Sequence, residues 1–272
     1  FAEAAREYGL PTVFGAELHL PVVDAVGREG LDPPTGVPDP RAVHLPVLAR
    51  GPDGYRALSA AIAEAHLATG SKGQAAYRLE ELAERAAGQW LVLTGCRKGA
   101  VRRALEGASP ASGIEAAGIE AARRELDRLR ALFGAQNVAV EVTRTGDPWD
   151  DERADALAHV AAVVGAPLVA TGNVHYATPA DADLAGALAA VRATSSLAEH
   201  DGWLPGAPTA YLRSAAEMAH LHRRHPHAVA TAAALAAECA FDLQLVAPNL
   251  PPFPVPAGHT EATWLRELVR RG

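Results

Sequence analysis

The sequence predicts an α/β fold in which parallel strands alternate with crossover helices, the kind of fold that builds its sites at the C-terminal ends of strands. Three observations carry this. Short apolar runs of strand length alternate with stretches of helical periodicity from Thr12 to about Ala193. Several of those runs end in side chains that ligate or titrate: Glu17, His44, Cys96, Asn173 and His175. The segment PLVATGNVHYA, Pro167 to Ala177, reads as a buried strand stopping near His175. A helix follows at once, with Thr178 as N-cap, Pro179 at its first position and Asp181 in its first turn.

Taken in order, FAEAAREYGL reads as a helix through Tyr8, with apolar positions at Phe1, Ala4, Ala5 and Tyr8. A strand from Thr12 to Leu20 leads into a Pro/Gly-rich excursion through Pro40, and a second strand spans Ala42 to Leu48. A helix from about Gly54 to Ala68, the loop GSKGQ and a short helix near Leu79 to Ala87 precede the strand Trp90 to Thr94. Apolar residues recur at helical spacing over Lys98 to Glu106 and Ile114 to Phe133, with Glu120, Arg123, Arg124 and Asp127 on a polar face. Strand Val138 to Val142, helix Asp151 to Val164, the strand ending near His175 and helix Pro179 to Ala193 complete the alternation. After Ser195 the pattern is helical only, over Ser214 to Arg224 and His227 to Cys239. The proline-dense PNLPPFPVP then reads as an extended connector, and an amphipathic segment, Glu261 to Arg271, closes the sequence.

A chain of 272 residues, 49% of them hydrophobic, suits one large α/β domain or one domain with an appendage. Its two cysteines, Cys96 and Cys239, form no CxxC pair, which points to a reducing cytoplasm. No apolar run reaches the roughly 18 residues of a membrane span. With 25 basic against 32 acidic residues and a net charge of −7, the chain is a poor general binder of phosphate backbones. Phe1 in place of an initiator Met, running straight into a helix, gives the expectation of an internal piece of a longer protein.

Carboxylate, imidazole and thiolate are ligand types for zinc and, the thiolate apart, for manganese or iron. Glu17, His44, Cys96, Asn173 and His175 come from four predicted strands and can meet at one rim, where a divalent ion would polarise a phosphate oxygen or activate water. Singly, each also has a structural reading: Cys96 as a small buried thiol, His44 as a satisfied strand histidine, Glu17 as a rim carboxylate. Both readings stand at this level. Other motifs carry less. HLHRRHPH, with His220, His222, His225 and His227, reads as a solvated helix end, because Pro226 interrupts the register and no acid is adjacent. TGSKG lacks the GxxxxGK[ST] of a phosphate loop, and no GxSxG occurs. The acids of DPWDDERAD suit a helix N-terminus.

FGAELHLPV, AVHLPVLARGPDGYRALSAAIAEAH, WLVLTGCRKGAVRRALEG and PLVATGNVHYATPADADLAGALAAVRA, in that order, resemble the PHP (polymerase and histidinol phosphatase) domain of bacterial C-family polymerases. DGWLPGAPTAYLRSAAEM and ECAFDLQLVAPNLPPFPVP resemble the error-prone type of DNA polymerase III alpha subunit. The resemblance implies a PHP-type (βα)7 barrel, incomplete at its N-terminus, over residues 1–195. It also implies a helical extension over 196–247, and over 248–272 a proline-rich linker leading to a polymerase palm. By motif, Glu17, His44, Cys96 and His175 fall on metal ligands of the family, for zinc or manganese. Asn173 stands where many members have Asp in Asp-x-His, so a bridging carboxylate is replaced by a neutral amide. The HxH segment with which family members begin would precede Phe1. The resemblance therefore implies a scaffold with a partial metal site and no hydrolase activity of its own. DNA, deoxynucleoside triphosphates, Mg and accessory proteins of replication would engage polymerase domains outside this sequence. Two rivals are a free-standing PHP phosphoesterase of the histidinol-phosphatase kind and a purely structural docking module.

Overall fold

The computed structural model describes residues 1–23, 29–30, 36, 41–70, 75–107, 114–200, 207–246 and 253–271. Most of the Pro/Gly-rich excursion, nearly all of the GSKGQ loop, the DGWLPG segment and the start of the proline-rich tail lie outside the described residues. The strands are β1 (Gly15–Leu20), β2 (Val22–Val23), β3 (Glu29–Gly30), β4 (Val43–Ala49), β5 (Trp90–Leu93), β6 (Val138–Val142) and β7 (Leu168–Ala170). The helices are α1 (Ala2–Glu7), α2 (Gly51–Thr69), α3 (Leu79–Ala86), α4 (Ala100–Glu106), α5 (Ala116–Phe133), α6 (Asp150–Val164), α7 (Ala182–Ala193), α8 (Leu197–His200), α9 (Ala215–Leu221), α10 (Pro226–Cys239) and α11 (Glu261–Arg271).

Five strands form one sheet in the order β1-β4-β5-β6-β7, and β2 with β3 makes a separate short ribbon. The strands are not all parallel, which corrects the expectation drawn from the alternation. β1 with β4 and β4 with β5 run antiparallel, whereas β5 with β6 and β6 with β7 run parallel. Alternation reports that helices intervene. It does not report at which end of the sheet the chain re-enters, and no described helix stands between β1 and β4, so an antiparallel return is open to them.

Side-chain parity divides the sheet into two faces. Leu18, Leu20, Leu45, Val47, Trp90, Val92, Val138, Val140, Val142, Leu168 and Ala170 join the main core with Leu58, Leu82, Leu105, Leu126 and Leu157 from α2 to α6. Trp90 is fully buried there, and its indole N–H donates to Gly54 O at 2.9 Å. The opposite face carries Leu91, Leu93, Ala139 and Val169, covered by Cys239, Ala232 and Leu235 of α10. The candidate site lies on this second face.

Helix limits follow local chemistry. Helix α2 has Pro52 in its first turn and stops where Gly70 turns left-handed at φ 61. The Thr178–Asp181 start is as the sequence predicts, the Thr178 N–H and hydroxyl both donating to Asp181 Oδ2 at 2.8 and 2.9 Å. HLHRRHPH is not a solvated helix end. His222 is 1% exposed, and His225 Nε2 lies 2.8 Å from Asp155 Oδ1 of α6, which Arg224 also pairs. Pro226 opens α10 rather than breaking a register, as its missing N–H costs nothing at a helix start. The acidic partner was invisible locally because it lies 70 residues away in sequence.

Candidate metal centre

GAELHL alternates, so Glu17 and His19 leave β1 on the face opposite Leu18 and Leu20. The antiparallel register sets His19 directly opposite His44 and Glu17 opposite Pro46. The two imidazoles stack with ring centroids 4.5 Å apart and planes 10° from parallel. Glu17 Oε1 lies 2.8 Å from His44 Nδ1 and 3.5 Å from His19 Nε2. Burial alone would push the Glu17 carboxyl up. The close approach and charge of His19 and His44 outweigh it and bring the carboxyl down to about 2.

Glu17, His19 and His44 each offer one ligand atom, all within 4.8 Å of one another. His44 Nδ1 is buried, and despite the short distance to Glu17 it makes no hydrogen bond of acceptable geometry. The donor set of one carboxylate and two imidazoles suits zinc or manganese. His19 was missed in the sequence. Its place two residues beyond Glu17 on a strand was the available signal; its partnership with His44 needed the register.

The glycines of LTGCRKGA set Cys96 nearby. Gly95 has φ +81, and a Cβ there would stand 3.2 Å from His44 O; a Cβ on Gly99 would meet Thr94 O at 1.9 Å. Only glycine allows the loop to close this tightly, and His44 N donates to Lys98 O at 3.0 Å across the closure. The Cys96 thiol is half-buried. Burial raises its pKa; the Lys98 backbone pulls against this, the charges of Glu17 and Glu141 add to the rise, and Arg97 opposes it last.

Strand β7 stops at Ala170, five residues before the expected end at His175. Asn173 adopts φ 43, a left-handed conformation that Asn tolerates better than most side chains and that ends the extended run. Beyond it the chain is held by the 210–212 segment: His175 N donates to Ala210 O at 2.8 Å, and Tyr176 bridges to Tyr211. The His175 side chain is exposed. Among the described residues, the compact ligand group of His, Cys, Asp and Glu thus contains Glu17 and His44 of the predicted set together with His19, while Cys96 and His175 stand outside it.

Residues 1–145 match the PHP domain. The chain belongs to the PHP domain family. Over all 272 residues this PHP chain is 50% identical to the error-prone DNA polymerase of Mycolicibacterium paratuberculosis, covering 23% of that protein. It is 48% identical over 299 aligned positions to the error-prone DNA polymerase of Nocardia farcinica, covering 26%. Against the error-prone DNA polymerase of Cutibacterium acnes the identity is 47% and the coverage 22%. The chain therefore spans about a quarter of the length of the curated relatives it matches. Among the described residues no helix is long and apolar enough to cross a membrane.

Proposed function

We propose that these residues form the PHP segment of an error-prone DNA polymerase of the DNA polymerase III alpha type, acting in DNA replication and damage-induced translesion synthesis. The observation that carries this reading is the 50% identity that runs through the whole chain, beyond the PHP match at residues 1–145, to a protein named as such a polymerase. Residues 1–195 are the barrel portion, whose five-stranded sheet belongs to a (βα)7 array in the complete domain. Residues 196–247 extend it with helices, and 248–272 lead to the palm. The whole protein works in the cytoplasm on DNA and deoxynucleoside triphosphates, with Mg at its polymerase site and accessory proteins around it.

In this reading Glu17, His19 and His44 hold a zinc or manganese ion, with Cys96, Asn173 and His175 farther round the rim. A bound divalent ion supplies Lewis-acid polarisation of a phosphate oxygen. What the residues themselves supply is limited. Glu17 stays ionised, the two imidazoles present nitrogen donors, and the amide of Asn173 cannot balance a dication's charge as a carboxylate would. The segment is a scaffold with a partial metal site.

Primer extension by the full-length protein on a lesion-containing template with Mg tests the main claim. Extension past the lesion is the expected result; absence of template-directed incorporation on damaged and undamaged templates would overturn it. The 272-residue segment alone should release no 3′-terminal nucleotide with manganese or zinc, and robust turnover would sink the scaffold reading.

A further inference from the structure

A second carboxylate lies on the same sheet face, on a strand far from Glu17 in sequence. Val138, Val140 and Val142 of β6 enter the main core, so Glu141 projects to the opposite face with Ala139. That is the face of Glu17, His19 and His44. Glu141 is only 8% exposed. Its backbone N–H donates to Thr94 Oγ1 at 2.9 Å, which ties it to the turn carrying Cys96, and Thr171 Oγ1 donates to its Oε1. Oε2 is buried and has no hydrogen-bond partner. Neither Arg nor Lys makes an ion pair with it among the described residues; burial first, and then the charge of Glu17, disfavour its ionised form against the Thr171 hydroxyl and the Gly95 backbone, which favour it. A buried carboxyl with an anion as its neighbour is answered either by a proton or by a cation.

We propose that Glu141 is a further acidic ligand of the divalent-ion centre, its free Oε2 reaching the cation side of the basin that Glu17, His44 and Cys96 border. This rests on the reading above that the centre holds a metal. Glu141 brings back on the β6 side a negative charge of the kind that Asn173 does not supply. Thr171, two residues before Asn173, holds the other carboxyl oxygen.

The test compares wild type, Glu141→Gln and Glu17→Gln in the full-length protein, measuring Mn2+ and Zn2+ binding by calorimetry and melting temperature with and without each ion. Glu141→Gln should weaken ion binding by about tenfold or more and shrink the ion-induced rise in melting temperature. Without ions it should melt at or above the wild-type temperature, because an unanswered buried carboxyl has become a neutral amide. Ion binding equal to wild type would overturn the proposal. So would a Glu141→Gln protein that is unfolded or clearly less stable without ions, since Glu141 would then be a purely structural group. If wild type itself binds neither ion, and Glu17→Gln changes nothing, the metal reading of the centre fails first; wild-type binding lost in Glu17→Gln and kept in Glu141→Gln removes this inference alone.

Discussion

His222 shows how one side chain can make the fold respond to acid. It is buried, its Nε2 has no hydrogen-bond partner, and Arg144, Arg213, His225 and Asp150 surround it. Burial first, and then the positive charge of Arg144, Arg213 and His225, lower its pKa from 6.5 to about 4, with Asp150 opposing weakly. The sign follows directly. Above pH 6.5 the ring is neutral whether the chain is folded or not. As the pH falls below that value the unfolded chain takes a proton that the fold refuses, and the loss grows until about pH 4, where the folded ring is protonated too. At most this amounts to on the order of 3 kcal/mol. Chemical denaturation from pH 7 to pH 4 should therefore show a shallower fall for His222→Gln than for wild type; identical slopes would mean that the ring carries no such linkage. Glu17 works in the same direction, over a lower pH window. Its lowered carboxyl adds stability that is present above the ordinary carboxylate range and is lost as the pH falls towards 2.

At the level of elements, the start of α6 is fixed by a carboxylate. Asp150 is 4% exposed, and its Oδ2 accepts from the backbone N–H groups of Thr145, Gly146 and Asp147 at 2.8, 2.9 and 3.1 Å. That one oxygen folds the β6–α6 loop back onto the helix it precedes. Asp150→Ala orphans all three donors and should cost on the order of 3 kcal/mol, lowering the melting temperature by roughly 6–12 °C, while Asp150→Asn, which keeps an acceptor, recovers part of the loss. A melting temperature within a degree of wild type for Asp150→Ala would contradict this role. The elements themselves were legible in the sequence because their signals are local. α2, α5, α6, α7 and α10 begin and end within a few residues of the periodicity, and β5 and β6 stand where apolar runs of strand length place them. Strand direction was not legible, nor was the early end of β7 at a left-handed Asn173. Of the site, Glu17 and His44 could be picked out by type and position. His19 and Glu141 could not, since each becomes meaningful only once the sheet has set its side chain beside residues from another strand.

Across the whole molecule the two faces of the sheet divide the work. The helical side is filled with aliphatic residues and the aromatics Trp90, Phe133 and Tyr77, while the other side carries a smaller apolar cluster under α10 together with the polar rim. In β1 the core residues Leu18 and Leu20 therefore alternate with the candidate ligands Glu17 and His19. Inserting one residue after Ala16 should exchange the two sets in β1, turning Leu18 and Leu20 towards the rim and Glu17 and His19 towards the core, so that ion binding and cooperative melting fail together. A protein that melts and binds ions as wild type would show that β1 can slip to restore its register. The same alternation bears on how such a chain can change over generations. Conservative drift among the core aliphatics can proceed at even-numbered positions of β1 without disturbing the odd-numbered neighbours. The rim could thus lose or regain ligands one substitution at a time while the scaffold that carries it stays in place.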